Sequence, residues 1–166
     1  MNAPLEQFLL GMRRLAGGVC VVTTAHDGQS YGLTATSVCS LSVSPPSMLI
    51  CINRNADSHS PICKARVLCV NVLAETQRHI AQRFGGADQL KGPARFEGGD
   101  WTLSEAGLPK LAGCLSSFDC DVAQISECKT HSIFICIVRS VCVEDGAPLI
   151  YWQAQFHSVS PVAVLN

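Results

Sequence analysis

The sequence predicts a mainly β protein: an antiparallel barrel of short strands with a few flanking helices. Apolar, β-branched runs recur along nearly the whole chain, turn signals such as Asp27-Gly28 and Asp145-Gly146 punctuate them, and helical spacing is confined to a few short stretches. Strands this numerous and evenly spaced favour a sheet that curls on itself over a parallel α/β sheet.

The elements follow in order. Leu5, Phe8, Leu9, Met12 and Leu15 recur at helical spacing after Pro4, and Gly17-Gly18 is expected to stop that helix. Val19 to Thr24 and Tyr31 to Thr36 form a hairpin about Asp27-Gly28. Val38 to Val43 and Met48 to Asn53 are two further strands, split by Ser44-Pro45-Pro46. Ser60 is placed as the N-cap of a short helix that begins at Pro61 and runs to about Arg66. Val67 to Leu73 is extended, and Glu75 to Phe84 is a helix closed by Gly85-Gly86. Ala87 to Lys110 is a long, partly structured excursion. Cys114 to Glu127, Ser132 to Glu144 and Leu149 to Trp152 complete the strands.

A chain of 166 residues suits one domain, and no linker or repeat divides it, so residues 1–166 are expected to fold as a unit. Hydrophobic residues reach 48% and charged ones only 15%, against about 25% charge in a typical soluble domain. Such a composition excludes a disordered chain and implies more apolar surface than a lone domain exposes, hence a homodimer. Twelve basic residues face 13 acidic ones, with no basic run, so nucleic acid is not an expected partner. No apolar run approaches the roughly 18 residues of a membrane span, and no basic stretch precedes an apolar one at the N-terminus. The ten cysteines contain no Cys-x-x-Cys pair and the five histidines share no ligand spacing, so no metal site is expected. Most of these thiols lie in apolar runs, as buried cysteines of a reduced, cytoplasmic protein would.

Most catalytic signatures are missing, and two match by letter only. Gly28-Gln29-Ser30-Tyr31-Gly32 fits Gly-x-Ser-x-Gly but lies in a hairpin, where the nucleophile elbow needs a strand-to-helix turn. Ser126-Glu127-Cys128-Lys129 fits Ser-x-x-Lys but lies in a strand, where the serine and lysine cannot sit one helical turn apart. Two polar stretches remain at strand ends. Thr34-Ala35-Thr36-Ser37 concentrates hydroxyls, and Asn53 to Ser60 leads into a helix N-terminus whose unpaired NH groups suit a phosphate. On spacing alone both also read as an ordinary strand edge and a capped loop.

Longer blocks carry a resemblance. Gly17-Gly18-Val19, Val21-Val22-Thr23-Thr24, Asp27-Gly28, Tyr31 to Ser37 and Ser42-Val43-Ser44-Pro45-Pro46 occur in order. Cys51-Ile52-Asn53, Val70 to Leu73, Ala81-Gln82-Arg83-Phe84, Gly107-Leu108-Pro109 and Pro148 to Tyr151 continue the series. From about Phe8 to Phe156 the chain resembles the flavin reductase-like family, small FMN-binding split-barrel proteins. The resemblance implies a six-stranded antiparallel split barrel, and a homodimer whose interface helps build the flavin pocket. It also implies hydride transfer from NADH or NADPH to FMN or FAD, with reduced flavin passing to a separate monooxygenase or to solution.

Carried over by position, Thr34, Ala35, Thr36 and Ser37 would line the isoalloxazine, with Cys51, Ile52 and Asn53 flanking it. Ser58 and Ser60 would hold the phosphate, and Arg83 and Phe84 would close the phosphate and ring side. His131 would serve as catalytic and cofactor-facing residue toward the nicotinamide, with Tyr151 near the same opening. The family's Gly-Asp-His triplet is here Lys129-Thr130-His131, so the turn before the histidine departs from the pattern. The alternatives are a flavoprotein that carries electrons or senses redox state without reductase turnover, and a β-barrel binding module with no flavin.

Overall fold

The computed structural model describes residues 3–159, so the first two and last seven positions of the expected domain lie outside the described residues. In chain order the elements are α1 (Leu5–Met12), β1 (Gly17–Gly18), β2 (Cys20–His26), β3 (Gln29–Ala35), β4 (Val38–Val43) and β5 (Pro46–Asn53). They continue with α2 (His59–Ala65), β6 (Val67–Val72), α3 (Arg78–Phe84), β7 (Trp101–Leu103), β8 (Pro109–Leu111), β9 (Ser116–Cys128), β10 (His131–Val143), β11 (Ile150–Trp152) and β12 (Gln155–His157). Short 3-10 turns at Glu75–Gln77 and Gly92–Phe96 precede α3 and β7.

Seven strands form one antiparallel sheet in the order β3-β2-β6-β9-β10-β5-β4, one strand more than the six expected of the split barrel. Its two edge strands, β3 and β4, are consecutive in sequence and joined only by Thr36 and Ser37. The sheet must therefore curl until its edges meet at that corner, which leaves the barrel split elsewhere. Stagger assists the curl, because β6 pairs the first half of β9 whereas β5 pairs the first half of β10. One face of every strand but β4 supplies the barrel interior, including Val22, Leu33, Ile50, Ile52, Leu68 and Phe134, with Val38 of β4 packed against it.

A second apolar layer lies outside β2 and β6. Val21, Leu73, Ile80, Phe84, Leu111 and Leu149 bring α3, the β7–β8 hairpin and the segment before β11 against the barrel wall. The excursion between α3 and β9 is thus folded at its end, where β7 and β8 pair with Trp101 opposite Leu111.

Several sequence readings hold and others are corrected. The β2–β3 hairpin turns through Asp27 (φ 49°) and Gly28 (φ 73°), the left-handed pair a two-residue hairpin requires. Helix α1 ends at Met12 rather than running on past Leu15, and Gly17–Gly18 pairs as a strand with Tyr151 and Ile150 instead of serving as a helix stop. Helix α2 begins at His59, so Ser58 and not Ser60 occupies its N-cap. The chain is already turning there: Ala56 N donates to Asn53 O and His59 N to Ala56 O, each at 3.0 Å. Pro61 consequently falls within the first turn, where its missing NH costs no helical bond. Strand β12 escaped the sequence because its turn is built from Gln153 (φ 49°) and Ala154 (φ 61°), with no glycine, asparagine or proline to signal it.

No cysteine is disulfide-bonded. Cys20, Cys69, Cys114, Cys120 and Cys136 are buried as expected, and burial pushes the thiols of Cys20, Cys120 and Cys136 up to about 12. Cys39, Cys128 and Cys142 are exposed: Cys39 lies on the edge strand β4, and Cys128 and Cys142 lie near the C-terminal ends of β9 and β10, where both strand faces are largely exposed. Among the described residues no helix is long and apolar enough to cross a membrane, and no cluster of side chains could hold a metal ion.

Candidate functional site

Strand alternation sets the site. On β3, Leu33 and Ala35 face the barrel interior, so Thr34 and then Thr36 and Ser37 turn outward at the corner where the sheet's edges meet. Thr34 Oγ1 donates to Ala81 O of α3 (2.8 Å), which fixes the helix across the strand. Thr34, Thr36, Gln82, Gly85, Tyr151 and Phe156 line a cavity of about 490 Å³ between β3, the end of α3 and the β11–β12 hairpin. Glycines at 85 and 86 form its far wall, and a Cβ at Gly85 would come within 3.0 Å of Ala81 O, so side chains are kept out of the opening.

Two further arms extend from it. One, of about 620 Å³, runs along Thr36, Ser37, Tyr151 and Trp152 to Leu9, Met12 and Leu15 beside α1. The other, of about 290 Å³, shares Thr34 and Gly85 with the centre and passes between Asn55, Ala56 and Asp57 on one side and Lys91 and Arg95 on the other. Shared lining at Thr34, Thr36, Gly85 and Tyr151 joins the three into one groove, whose central cavity and longer arm are each within the size range of small-ligand sites.

Thr34, Thr36, Ser37 and Tyr151 therefore meet in one groove, with Phe84 at its edge. The Phe84 side chain is otherwise core, 2% exposed and edge-on to Phe96 at 5.0 Å, with Trp101 at 5.3 Å. Ala35 and Ile52 point into the barrel, so only their backbones can face a ligand. Cys51 is half-buried, its backbone NH donates to Ser37 O (3.0 Å), and burial pushes its thiol up. Asn53 is exposed and accepts from Asn55 N through Oδ1 (2.9 Å), shaping the loop that lines the shorter arm. Ser58 is fully buried and its hydroxyl has no partner, Ser60 is exposed, and neither lines any of the three cavities. Arg83 lines a neighbouring cavity with His79 and Gly98 that shares Gln82 and Ala87 with the centre, its Nε 3.3 Å from Asp88.

His131 opens β10 opposite Asn53 and lines none of the three arms. It is exposed, with Nδ1 2.9 Å from Thr130 Oγ1, and Arg54 N donates to Thr130 O (2.9 Å). The histidine is thus tied to the base of the Asn53–Ser58 loop. Lys129 takes φ 51° where the family has glycine, so the hairpin keeps a left-handed turn despite the changed triplet.

Sequence reasoning missed Gln82, Gly85, Asp57, Lys91, Arg95 and Phe156. A helical pattern for Arg78 to Phe84 contains Gln82, but nothing in the chain signals that Arg95 reaches Asp57. The Ser58 to His59 step also carries a pH-sensitive contact: His59 Nε2 lies 2.9 Å from the buried Ser132 Oγ. Burial, and then the Arg54 charge, hold the imidazole below its ordinary value of 6.5, with Glu127 opposing them. The unfolded chain then binds the extra proton first, so this contribution is complete above pH 6.5 and is lost as pH falls through the lowered folded value. Urea midpoints measured from neutral to mildly acidic pH should fall less steeply in His59→Gln than in the wild type, and equal slopes would remove His59 as a source of acid lability.

The family model for the flavin reductase like domain matches residues 12–160. The chain is 37% identical over 153 residues to an FMN reductase (NADH) RutF of Pantoea ananatis, covering 92% of this chain and 80% of that protein. It is 35% identical to a 4-hydroxyphenylacetate 3-monooxygenase reductase component of Pseudomonas aeruginosa, covering 92% and 90% of the two chains. Among solved structures, the Streptomyces globisporus NADH:FAD oxidoreductase SgcE6 in complex with NAD and FAD fragments superimposes with a TM-score of 0.88 at 27% identity. That match covers 96% of this chain and 94% of the other.

Proposed function

The chain belongs to the flavin reductase like domain family, and from that premise we propose that it is an NADH-dependent flavin reductase whose product serves a separate monooxygenase. The observation that carries this reading is the groove at the barrel's closing corner, where Thr34, Thr36, Ser37 and Tyr151 gather beside a glycine wall. Its features fit a flavin: hydroxyls at the strand edge for the ring's polar rim, and an aromatic floor from Tyr151 and Phe156. When bound, the flavin supplies the electron-accepting ring and the nicotinamide the hydride. The protein's residues need only orient the two rings and keep water away, so an acid/base pair is not required. FMN or FAD fits this reading, and NADH is the donor that the relatives' names favour over NADPH.

The same reading takes residues 1–166 as one domain acting in the cytoplasm as a homodimer. Ten unbonded cysteines favour a reducing compartment. The chain exposes 10000 Å² where a lone folded protein of 17.7 kDa exposes about 8,000 Å². Leu5, Phe8, Leu9, Leu10, Met12 and Leu15 on and after α1 contribute to that excess and adjoin the longer arm, so a partner covering them would help close the groove. A solution mass near that of one chain at micromolar concentration would remove the dimer.

Loss of NADH absorbance on adding FMN or FAD tests the activity. A reductase consumes NADH in proportion to added flavin, a carrier or sensor holds one flavin and turns over slowly, and a binding module with no flavin shows neither. Within this reading His131 orients the nicotinamide. His131→Ala should lower kcat/KM for NADH by about tenfold or more while thermal stability and flavin affinity stay near wild type. A large fall in melting temperature with normal turnover per folded molecule would assign His131 to the fold instead.

A further inference from the structure

We propose that Arg78, seated on Phe156 behind the wall of the central cavity, is a positioning residue that raises the cavity's affinity for reduced flavin relative to oxidised flavin. This rests on the reading that a flavin ring lies in that cavity at Thr34 and Thr36.

Phe156 is the wall between two hollows. It lines the central cavity with Thr34, Gly85 and Tyr151, and it also lines a cavity of about 390 Å³ with Glu75, Arg78, Leu149 and His157. Strand pairing sets the ring in place: β11 and β12 put Tyr151 opposite Phe156, with ring centroids 5.2 Å apart, and Phe156 packs against the outer apolar layer. From the start of α3 the Arg78 guanidinium sits over the same ring, its Cζ 5.6 Å from the centroid, within reach of a cation–π contact.

The charge distribution carries the inference. None of the residues lining the central cavity is charged. A neutral flavin ring that accepts a hydride gains two electrons and one proton and so becomes negative, and the cavity lining offers that charge no cation. Arg78 supplies one from behind the wall. It pairs with no carboxylate among the described residues, Glu75 of the same hollow included. His157 commits its Nε2 to Trp152 O (3.1 Å). The apolar Phe156 ring keeps water from the space between guanidinium and cavity, so the charge is screened less there than across open solvent. Other cations near the groove are placed differently. Arg83 is balanced by Asp88 and Arg95 by Asp57, while Arg13 and Lys91 lie in the two arms.

Arg78 is exposed, so replacing it should leave the fold intact. Dissociation constants for oxidised FMN and, under argon, for dithionite-reduced FMN would be measured by quenching of tryptophan fluorescence. The proteins compared are the wild type, Arg78→Met, Arg78→Lys and Arg78→Glu. The two forms of FMN share one phosphate, so the ratio of their constants isolates the ring, and a merely loosened hairpin would weaken both forms alike. Arg78→Met keeps a stem over Phe156 without the charge, and should cut the relative affinity for reduced FMN by about fivefold. Arg78→Lys should keep most of it, and Arg78→Glu should lower it further than methionine does. An unchanged ratio in Arg78→Met, a lysine variant no better than the methionine one, or equal weakening of both forms would overturn the proposal and leave Arg78 as an anchor of the hairpin. A wild type that binds neither form would instead overturn the reading on which it rests, and the inference with it.

Discussion

Phe134→Ala should destabilise the protein by about 3 to 5 kcal/mol, the range for truncating a fully buried aromatic ring. Phe134 is entirely buried in the barrel, opposite Ile50 on β5 and Ile125 on β9, with its ring edge-on to His59 at 5.7 Å. Side chains reach it from both sides of the curled sheet, so no single strand can move in to fill the gap without breaking its pairing. Since a domain of this size has about 5 to 15 kcal/mol of total stability, the loss is about a fifth or more of the whole. The denaturant midpoint should drop sharply at an unchanged m-value. A loss below about 1 kcal/mol would mean that the barrel interior is loosely packed and that the sheet does not depend on it.

What the sequence disclosed, and what it withheld, follow from the same geometry. Strands such as β2, β6 and the first half of β10 were legible because one or both faces are buried, which leaves a run of apolar or alternating residues. The Asp27-Gly28 turn was legible because two left-handed residues in succession demand special chemistry. Helix α1 gave a clear amphipathic pattern, yet none of its residues is buried within the chain, because its apolar face has no partner there.

At the site, Thr34 to Ser37 were legible as a cluster of hydroxyls at a strand end, and the fold does bring Thr34, Thr36 and Ser37 to the groove. The opposite wall was not, because it is built by packing over long separations: Arg95 meets Gly32 and Asp57 from 63 and 38 residues away. Arg83 and Ser60 illustrate the converse. Residues of suitable chemistry stood at suitable places in the chain, but Ser60 lines none of the three cavities and Arg83 lines a neighbouring one, where it pairs with Asp88.

Asn71→Leu should cost about 2 to 4 kcal/mol although it replaces a polar core residue with an apolar one of similar size. Asn71 sits on β6, fully buried on the outer face of the barrel wall. Its Oδ1 accepts from Leu111 N of β8 at 2.9 Å, which fixes the amide's orientation, and its Nδ2 donates to Val21 O (3.1 Å) and Thr23 Oγ1 (3.4 Å). Thr23 Oγ1 in turn donates to Pro109 O (2.6 Å), so one polar node fastens both ends of β8 to the barrel. Leucine would leave the Leu111 NH buried and unpaired, the expensive outcome when only one partner of a buried bond is removed. The effect should travel to the groove, because β8 pairs with β7, and Trp101 on β7 supports Phe84 and Phe96 beneath α3. Amide exchange at Leu111 should accelerate in Asn71→Leu, and the KM for flavin should rise even at temperatures where the variant is fully folded. If stability falls while that KM stays at the wild-type value, the hairpin supports the fold alone and the groove's wall does not depend on it.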